Sequence, residues 1–260
     1  MSRVHFFEIA DQPWCPRAVR DGVTDYLQHA IDAGRAYAPA APVLARVLRE
    51  TGRTTIVDLA AGGGGPWRSL LPALAEQGAE ATSVTLTDWR PNASAFARTE
   101  AATVGRVRGE LTPVDARAVP RSLRGVRTIF SALHHFREHD VEQMLRDAID
   151  AGEPFVAFEA THRSARAVLL TCLTPLLVVL MTPAIRPLTW SRLLLTYLVP
   201  LIPLVVLFDG IVSCLRTYTP AELEIILRRV SGDRDGVRWQ TGEMVNGPIP
   251  VTWLTCWPVV

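Results

Sequence analysis

The chain has 260 residues, 48% of them hydrophobic, and its 27 basic and 26 acidic residues leave a formal net charge of +1. This length suits one large domain or two small ones with a full apolar core. Because no arginine-rich patch alternates with aromatic residues, the composition argues against a nucleic-acid-binding protein.

The N-terminal stretch "EIADQPWCPRAVRDGVTDYLQ" predicts a helical cap over residues 1–49. The first residues include acids and have no long apolar core, so no signal peptide is expected. Packing of Trp14 and Tyr26 against the rest of the domain would explain these two rings, and a place in a binding site would explain them equally well.

The next segment, "TTIVDLAAGGGGPWRSLL", places four glycines between a buried-strand pattern and a helical pattern. Leu70, Leu71 and Leu74 recur at helical spacing, and Pro66 suits the first position of a helix. Ordering four glycines carries a large entropic cost, which the close approach of a ligand to the main chain would offset. The segment therefore predicts a strand, a glycine turn and a helix whose free N–H groups meet a ligand.

A second alternating strand, "SVTLTDWRPN", ends at Asp88. A carboxylate at this position of a Rossmann-like sheet accepts hydrogen bonds from ribose hydroxyls. The dinucleotide fingerprint G-x-G-x-x-G is absent, because its third glycine, counted from Gly62, falls on Trp67. A P-loop is excluded because the chain contains no lysine.

Three further segments continue this series of strand ends. "LTPVDARAVP" carries Asp115 and Ala116, "RTIFSALHHF" predicts a fourth strand that runs into a turn, and "EPFVAFEATHRS" predicts a fifth. Together with "VDLAAGGGG", these motifs resemble the class I S-adenosylmethionine-dependent methyltransferases that act on small molecules, over about residues 50–162. One departure is Ala60, where many members have the first glycine of the loop. Because alanine is small, we expect an altered turn rather than a lost site.

The resemblance implies an enzyme with an α/β Rossmann-like sheet that binds S-adenosylmethionine and releases S-adenosylhomocysteine. Asp88 would bind the ribose, and Asp115 with Ala116 would lie beside the adenine. The full set of implied cofactor-binding residues is Asp58, Ala60, Gly62, Gly64, Asp88, Trp89, Asp115, Ala116 and Ser131.

His134 and His135 follow the fourth strand, from which members of the family reach towards the sulfonium methyl group. An imidazole with an ordinary pKa of about 6.5 suits a group that takes a proton during transfer. Alternatively, one histidine packs under the following helix and only the backbone touches the cofactor. Glu159 and Tyr26 are further candidate catalytic bases. No cluster with metal-ligand spacing is visible, so no metal is expected.

The resemblance also implies that N-terminal side chains line the acceptor site, which makes Trp14 and Arg17 candidate substrate-binding residues. Asp209, Ser213 and Arg216 would share one face of a helix, and Asp209 and Arg216 are further substrate-binding candidates. A structural ion pair is the alternative for these last two residues.

Residues 163–216 are predicted to be an apolar helical insertion after the fifth strand. Residues 167–185 contain no charge and could just cross a bilayer, whereas the second apolar run, 193–208, is short for that purpose. Pro200 and Pro203 interrupt the second run, although membrane helices tolerate proline. A lid over the acceptor is the preferred interpretation, and a dimer interface and a membrane-associating segment stay open.

Residues 217–260 are expected to rejoin the core of residues 50–162. Thr219, Pro220 and Glu222 predict a helix that begins with a capping box. "VRWQTGEM" and "VTWLTCWPVV" predict two antiparallel strands that complete one edge of the sheet.

The four cysteines lie far apart and lack C-x-x-C spacing, so neither a zinc site nor a disulfide framework is indicated. A reducing cytoplasm is the expected compartment, with membrane association left open. The predicted function is methylation of an apolar small molecule, of an aromatic or indole type, in a biosynthetic pathway of secondary metabolism. A membrane-bound enzyme for a lipid or quinone is the alternative, and a non-catalytic binding protein is a third. A homodimer is neither indicated nor excluded.

Overall fold

The computed structural model describes residues 1–232, 236–245 and 247–259. The strands are β1 (Thr55–Leu59), β2 (Ser83–Leu86), β3 (Val107–Gly109), β4 (Val126–Phe130), β5 (Phe155–Glu159), β6 (Val237–Met244) and β7 (Val251–Pro258). The α-helices are α1 (Arg17–Gly34), α2 (Ala41–Thr51), α3 (Trp67–Ala75), α4 (Ala93–Ala102), α5 (Glu138–Ala151), α6 (Ala165–Thr171), α7 (Thr174–Met181), α8 (Trp190–Leu193), α9 (Leu201–Arg216) and α10 (Pro220–Ser231).

The strands form one sheet in the order β3-β2-β1-β4-β5-β7-β6. The first five strands are parallel, and β7 runs antiparallel to both β5 and β6. The order changes direction beside β1, and in such sheets ligands bind outside the carboxyl ends of the strands at this point. The Rossmann-like α/β sheet and the antiparallel pair at its edge are confirmed.

Two apolar clusters cover the two faces of the sheet, which accounts for its burial. Helices α2 and α3 supply Leu44, Trp67 and Leu70 to one cluster. Helices α5 and α10 supply Met144 and Ile226 to the other. Helix α10 begins with the predicted capping box, because Thr219 and Glu222 exchange hydrogen bonds with each other's backbone N–H groups.

The N-terminal segment and the insertion pack on each other through a third apolar cluster. Tyr26 of α1 lies in this cluster with Val178 of α7 and Ile202 of α9. Helix α2, by contrast, belongs to the core of the sheet. The predicted cap of residues 1–49 is therefore divided in the structure, since α1 packs on the insertion and α2 packs on the sheet.

The outer side of the insertion is both apolar and exposed. Residues Ala165–Ala184 form a helical run of 20 residues with a mean hydropathy of 2.1, long and apolar enough to cross a membrane, and only 17% of it is buried. The second apolar run is broken, because Trp190–Leu198 and Leu201–Arg216 meet at a bend of 76°. The bend lies at Pro200, directly before α9. Proline has no backbone N–H, so a helix is expected to break at this position.

Candidate active site

Two of the four glycines after β1 are needed for packing. A Cβ atom at Gly64 would overlap Oγ1 of Thr99 in α4, and one at Gly65 would lie 2.5 Å from a carboxylate oxygen of Asp58. Gly63 faces α1 with more room, because a Cβ atom there would lie 3.1 Å from the side chains of Thr24 and Gln28. These residues let the turn fit between the helices and the sheet. Gly64, a predicted cofactor-binding residue, thus has a packing role that the sequence did not reveal.

The fourth glycine, Gly62, has open space where a side chain would lie, and its backbone is left-handed with a φ of 51°. Its N–H donates to Asp88 Oδ2 at 2.9 Å, and the N–H of Arg90 donates to Oδ1 at 2.7 Å. The carboxylate of Asp88 is thereby held at the end of β2. Ala60 keeps the turn by adopting a φ of 52° itself.

Asp58 is fully engaged inside the protein. Its two carboxylate oxygens accept hydrogen bonds from Trp67 Nε1 at 2.7 Å and from Thr128 Oγ1 at 2.9 Å. Burial raises the pKa of Asp58 to about 7, against the lowering effect of these hydrogen bonds. The geometry makes Asp58 an anchor of the loop, and its predicted contact with the cofactor stays a prediction.

A cavity of about 260 Å³ lies at the carboxyl ends of β1 and β2. It is lined by Ala60, Asp88, Trp89, Val114, Asp115, Ala116, Arg117 and Phe136. Five of these were predicted from the sequence as cofactor-binding residues. The ring of Trp89 is 63% exposed and offers a flat face to a ligand. The carboxylate of Asp115 is paired with Arg117 at 2.8 Å, which holds the pKa of Asp115 below its usual value.

Ser131 is not among the residues that line this cavity. Its hydroxyl hydrogen-bonds to the hydroxyl of Tyr37 and accepts from the N–H of Ala160 at 3.1 Å. It therefore ties the ends of β4 and β5 together, and its role at the cofactor stays a prediction.

His134 and His135 lie in a short 3-10 turn, Leu133–His135, after β4. His134 is buried with 2% exposure, and its Nδ1 lies 2.6 Å from Oε2 of Glu159. Nδ1 of His135 lies 2.9 Å from Oδ2 of Asp11, and the two rings stack with centroids 4.3 Å apart. Burial opposes the protonation of His134, but the carboxylates of Glu159 and Glu8 outweigh it and raise the pKa of His134 to about 9.

Glu8 is a site residue that the sequence reasoning missed. Its carboxylate is buried, with Oε1 3.5 Å from Nε2 of His134 and Oε2 3.7 Å from Nε2 of His135. Oε1 also accepts from Arg216 at 3.2 Å and from Ser213 at 3.1 Å. The sequence did contain one signal for Glu8, because an acid directly follows two phenylalanines in "HFFEIA".

The predicted polar face of α9 exists, but its residues bind the protein itself. Asp209 accepts from the N–H groups of Ile9 at 2.6 Å and Ala10 at 2.9 Å. Arg216 donates to the carbonyl oxygens of His134 at 3.1 Å and His135 at 2.8 Å. Asp209 and Arg216 therefore position the N-terminal segment and the histidine turn, rather than forming an ion pair with each other, and their contact with a substrate stays a prediction.

Comparison with known proteins gave matches to solved structures. No protein-family model and no curated protein matches the sequence. A solved structure of the plantazolicin methyltransferase BpumL in complex with SAH is similar with a TM-score of 0.57, at 10% identity over 96% of this chain and 94% of that chain. An O-methyltransferase family protein from Burkholderia thailandensis has a TM-score of 0.52, at 16% identity over 91% of this chain and 59% of that one. The chain has the class I methyltransferase fold.

A third similar structure, human N-acetylserotonin methyltransferase in complex with SAM, has a TM-score of 0.50 at 13% identity, over 94% of this chain and 56% of that chain. Two of these three neighbours are thus considerably longer than the present chain. At such low identities the similarity establishes the fold, which is the fold expected from the resemblance.

Three predicted residues of this methyltransferase fold lie away from the histidines. Tyr26 is buried in the apolar cluster between α1 and the insertion, which gives its ring a packing role. Arg17 is exposed, pairs with Asp21 at 3.4 Å, and lines a separate cavity of about 440 Å³ beside α4 and the tip of the insertion. Trp14 is exposed on the surface.

Proposed function

We propose that the protein is a methyltransferase that uses S-adenosylmethionine to methylate an apolar small molecule. The observation that carries this proposal is the meeting of two features at one sheet edge. The cavity beside Asp88 and the centre formed by Glu8, His134 and His135 follow neighbouring parallel strands. Phe136, the residue directly after His135, lines the cavity together with Asp88.

The residues around the cavity fit S-adenosylmethionine. Asp88 retains lone pairs for the ribose hydroxyls after accepting its two backbone N–H groups. The exposed ring of Trp89 and the small side chain of Ala116 suit the two faces of a flat adenine. When bound, the cofactor supplies a methyl group already activated by its sulfonium, so the protein has to provide orientation, exclusion of water and a destination for a proton.

The centre after β4 supplies that destination. His135 is the more exposed of the two imidazoles, and its ring is held by Asp11 on one side and by stacking on His134 on the other. Glu159 fixes the turn, because its second oxygen accepts the N–H of Leu133 at 2.7 Å. A rigid, largely buried group of imidazoles and carboxylates at this position would suit an acceptor that loses a proton during transfer.

Aromatic side chains next to this centre support an apolar, flat acceptor. Phe6 and Phe7 directly precede Glu8, and their ring centroids are 4.7 Å apart. Phe7 also lies 5.9 Å from Phe208 of α9. All three rings retain exposed surface. An aromatic or indole-type metabolite of a biosynthetic pathway suits such walls, and the plantazolicin and N-acetylserotonin methyltransferases among the structural neighbours support a small-molecule acceptor more generally.

Calorimetry with S-adenosylmethionine and S-adenosylhomocysteine tests the cofactor. Asp88→Ala should lose about 1.5 to 3 kcal/mol of binding free energy, because hydrogen bonds to a charged group are removed. Glu76→Ala, on the surface at the end of α3, is the matched control and should bind like the wild type. Equal affinity of the wild type and Asp88→Ala would reject the assignment. Transfer of a labelled methyl group to a panel of apolar phenols, indoles and amines then identifies the acceptor.

A second candidate, methylation of a lipid or quinone at a membrane, is favoured by the exposed apolar face of the insertion. The large apolar side chains exposed on this face are Leu169, Leu173, Leu176, Leu177, Leu180, Leu188, Trp190, Leu194, Tyr197, Leu198, Val199, Leu201 and Leu204. Such an extent of exposed apolar surface is unusual for a protein that meets only water. Residues 160–208 also contain no acid, whereas Arg166 and Arg186 are exposed there, which suits an anionic lipid surface.

Flotation with vesicles of anionic phospholipid separates the two candidates. A membrane substrate requires the wild type to float with the vesicles and Leu176→Glu/Leu180→Glu to stay behind, while both bind S-adenosylmethionine equally. Leu111→Glu, an exposed leucine outside the insertion, is the control. A wild type that does not float would leave the water-soluble acceptor as the proposal.

A further inference from the structure

The two histidines after β4 and Glu8 form a group with the geometry of metal ligands. One potential ligand atom from each of the three residues lies within 4.8 Å of the others. Ligands at about 2.0–2.2 Å from a tetrahedral zinc ion lie roughly 3.3–3.5 Å from one another. The observed separations of 3.5 Å, from His134 Nε2 to Glu8, and 3.7 Å, from His135 Nε2 to Glu8, are close to this spacing.

A buried nitrogen points into this group without a hydrogen-bond partner. Nε2 of His134 is buried and makes no hydrogen bond among the described residues; Oε1 of Glu8 faces it only at ion-pair distance, 3.5 Å, and already accepts from Arg216 and Ser213. An unpaired buried polar atom is unfavourable and calls for an explanation. A cation between His134 Nε2 and the Glu8 carboxylate would supply its missing partner.

The surroundings of the two imidazoles match those of metal-binding histidines. Such histidines generally donate their second ring nitrogen to a carboxylate or carbonyl, which fixes the tautomer and the ring orientation. Here Glu159 holds Nδ1 of His134 at 2.6 Å, and Asp11 holds Nδ1 of His135 at 2.9 Å. In both residues the arrangement turns Nε2 towards Glu8.

The local charge also suits a divalent cation. Binding of an ion has to displace the proton that the raised pKa keeps on His134; with both imidazoles neutral as ligands, the carboxylates of Glu8, Glu159 and Asp11 contribute three negative charges around the two rings. Arg216, which hydrogen-bonds to Glu8, contributes one positive charge. It binds Oε1 of Glu8, so Oε2 remains directed at His135.

We propose that Glu8, His134 and His135 bind a divalent transition-metal ion of the zinc type, with Asp11 and Glu159 as positioning residues. Two imidazole nitrogens and one carboxylate oxygen are a ligand set used by zinc and related ions, and they leave a fourth position for water or another ligand. Binding of the ion stands independently of the methyltransferase activity.

The role of the ion rests on the proposed function. An acceptor hydroxyl bound at the fourth position would transfer its proton more readily, because a bound divalent ion lowers the pKa of a coordinated oxygen. This favours an oxygen acceptor over a carbon acceptor. His135 would then act as a ligand, and the acceptor's proton would leave to solvent or to a neighbouring carboxylate.

Cobalt and zinc titrations test the site with a readout that does not depend on turnover. Protein freed of metal by chelator is titrated with Co²⁺, whose visible absorption reports its ligand geometry, and with Zn²⁺ in competition with a chromophoric chelator. We expect one ion per chain with the absorption of a four- or five-coordinate nitrogen and oxygen site. Asp11→Asn, which changes a positioning residue, should weaken binding about 10- to 100-fold. Glu8→Gln and His134→Ala remove a ligand and should weaken it by more than about 100-fold.

Two control variants show whether the ion is bound elsewhere. His139→Ala removes an exposed imidazole from the same region, and Cys172→Ser removes an exposed thiol. Both should bind cobalt like the wild type. Absence of saturable binding, or binding unchanged in Glu8→Gln and Asp11→Asn, would overturn the site. Calorimetry with S-adenosylmethionine on the same samples separates the two proposals, because loss of cofactor binding with intact cobalt binding would reject only the proposed function.

Discussion

The cofactor side and the acceptor side of this protein meet at one sheet edge but are assembled in different ways. On the cofactor side, residues 50–132, the decisive contacts join residues close in sequence, with 9 positions between Asp58 and Trp67 and 26 between Gly62 and Asp88. On the proposed acceptor side, residues 1–34, 133–135 and 163–216, Glu8 meets Arg216 across 208 positions and Ile9 meets Asp209 across 200. Local motifs therefore define one side, and long-range polar contacts define the other.

The two sides also differ in how they face their surroundings. The cofactor side lies against the sheet, and its apolar residues are largely buried in the two clusters that cover the sheet. The acceptor side buries a smaller cluster and leaves the outer leucines of its insertion exposed. Substitutions in the insertion could therefore change the ligand or partner without disturbing the nucleotide cavity. This separation is expected where different functions are placed on one common fold.

The largest expected effect is a loss of turnover in a variant of the acceptor side that still binds the cofactor normally. His135→Ala removes the more exposed imidazole of the acceptor side and should lower turnover by about 10²- to 10⁴-fold, because the enzyme loses the group proposed either to take the proton or to hold the ion that acidifies the acceptor. Affinity for S-adenosylmethionine should stay nearly the same, because Asp88 and its backbone donors are untouched.

His139→Ala, four positions further on and exposed, is the control for that experiment and should keep the wild-type rate. Steady-state turnover and calorimetry on both variants decide the outcome. A His135→Ala enzyme with more than about half of the wild-type rate would mean that positioning of the reactants alone accounts for catalysis.

Arg216→Met tests whether the acceptor side depends on its buried polar contacts. The guanidinium joins Glu8 to the carbonyl oxygens of His134 and His135. Its removal leaves a buried carboxylate and two carbonyls without this donor, and such losses reduce the free energy of unfolding by about 3–5 kcal/mol. Urea denaturation measures the change, and Arg166→Met, an exposed arginine of the insertion, should alter stability by less than about 0.5 kcal/mol. Equal stability of these two variants would contradict a structural role for Arg216.

These two experiments also mark where prediction from the sequence succeeded and where it did not. The Rossmann-like sheet, its antiparallel edge pair, the glycine turn and the position of Asp88 at a strand end follow from local patterns, because apolar periodicity and backbone freedom act over a few residues. Glu8 and Asp11 could not be assigned, since only the folded chain brings them to the histidines. The positions of Tyr26 and Arg17 could not be predicted for the same reason. Packing of α1 on the insertion buries Tyr26 in an apolar cluster and places Arg17 beside a separate cavity.

Asp58→Asn examines the cofactor side through its dependence on pH. The pKa of Asp58 is raised by burial from its ordinary 3.8 to about 7. A raised carboxyl pKa means that the folded state keeps the proton longer, so this contribution to stability is complete at low pH and is lost as the pH rises through about 7. Relative to Asp58→Asn, which cannot ionise, the wild type should lose up to about 4 kcal/mol between pH 4 and pH 8. Denaturation curves across this range that differ by a constant amount would contradict the assignment.

The smallest expected effect concerns the turn that begins the cofactor side. Ala60 has a φ of 52°, a left-handed backbone that costs an L-residue with a Cβ atom about 1–2 kcal/mol. Ala60→Gly removes this strain but gives the unfolded chain more freedom, worth about 0.5–1 kcal/mol in the opposite direction. The net result should be a gain of about 0.5–1 kcal/mol in the free energy of unfolding. Ala61→Gly is the matched control, because Ala61 is not among the described residues with positive φ. With no strain to relieve, this variant should lose about 0.5–1 kcal/mol in the free energy of unfolding. Cofactor affinity should change little in either variant, since Gly62 and Asp88 keep their hydrogen bond. A loss of stability in Ala60→Gly equal to that in Ala61→Gly would show that the turn is not strained at Ala60.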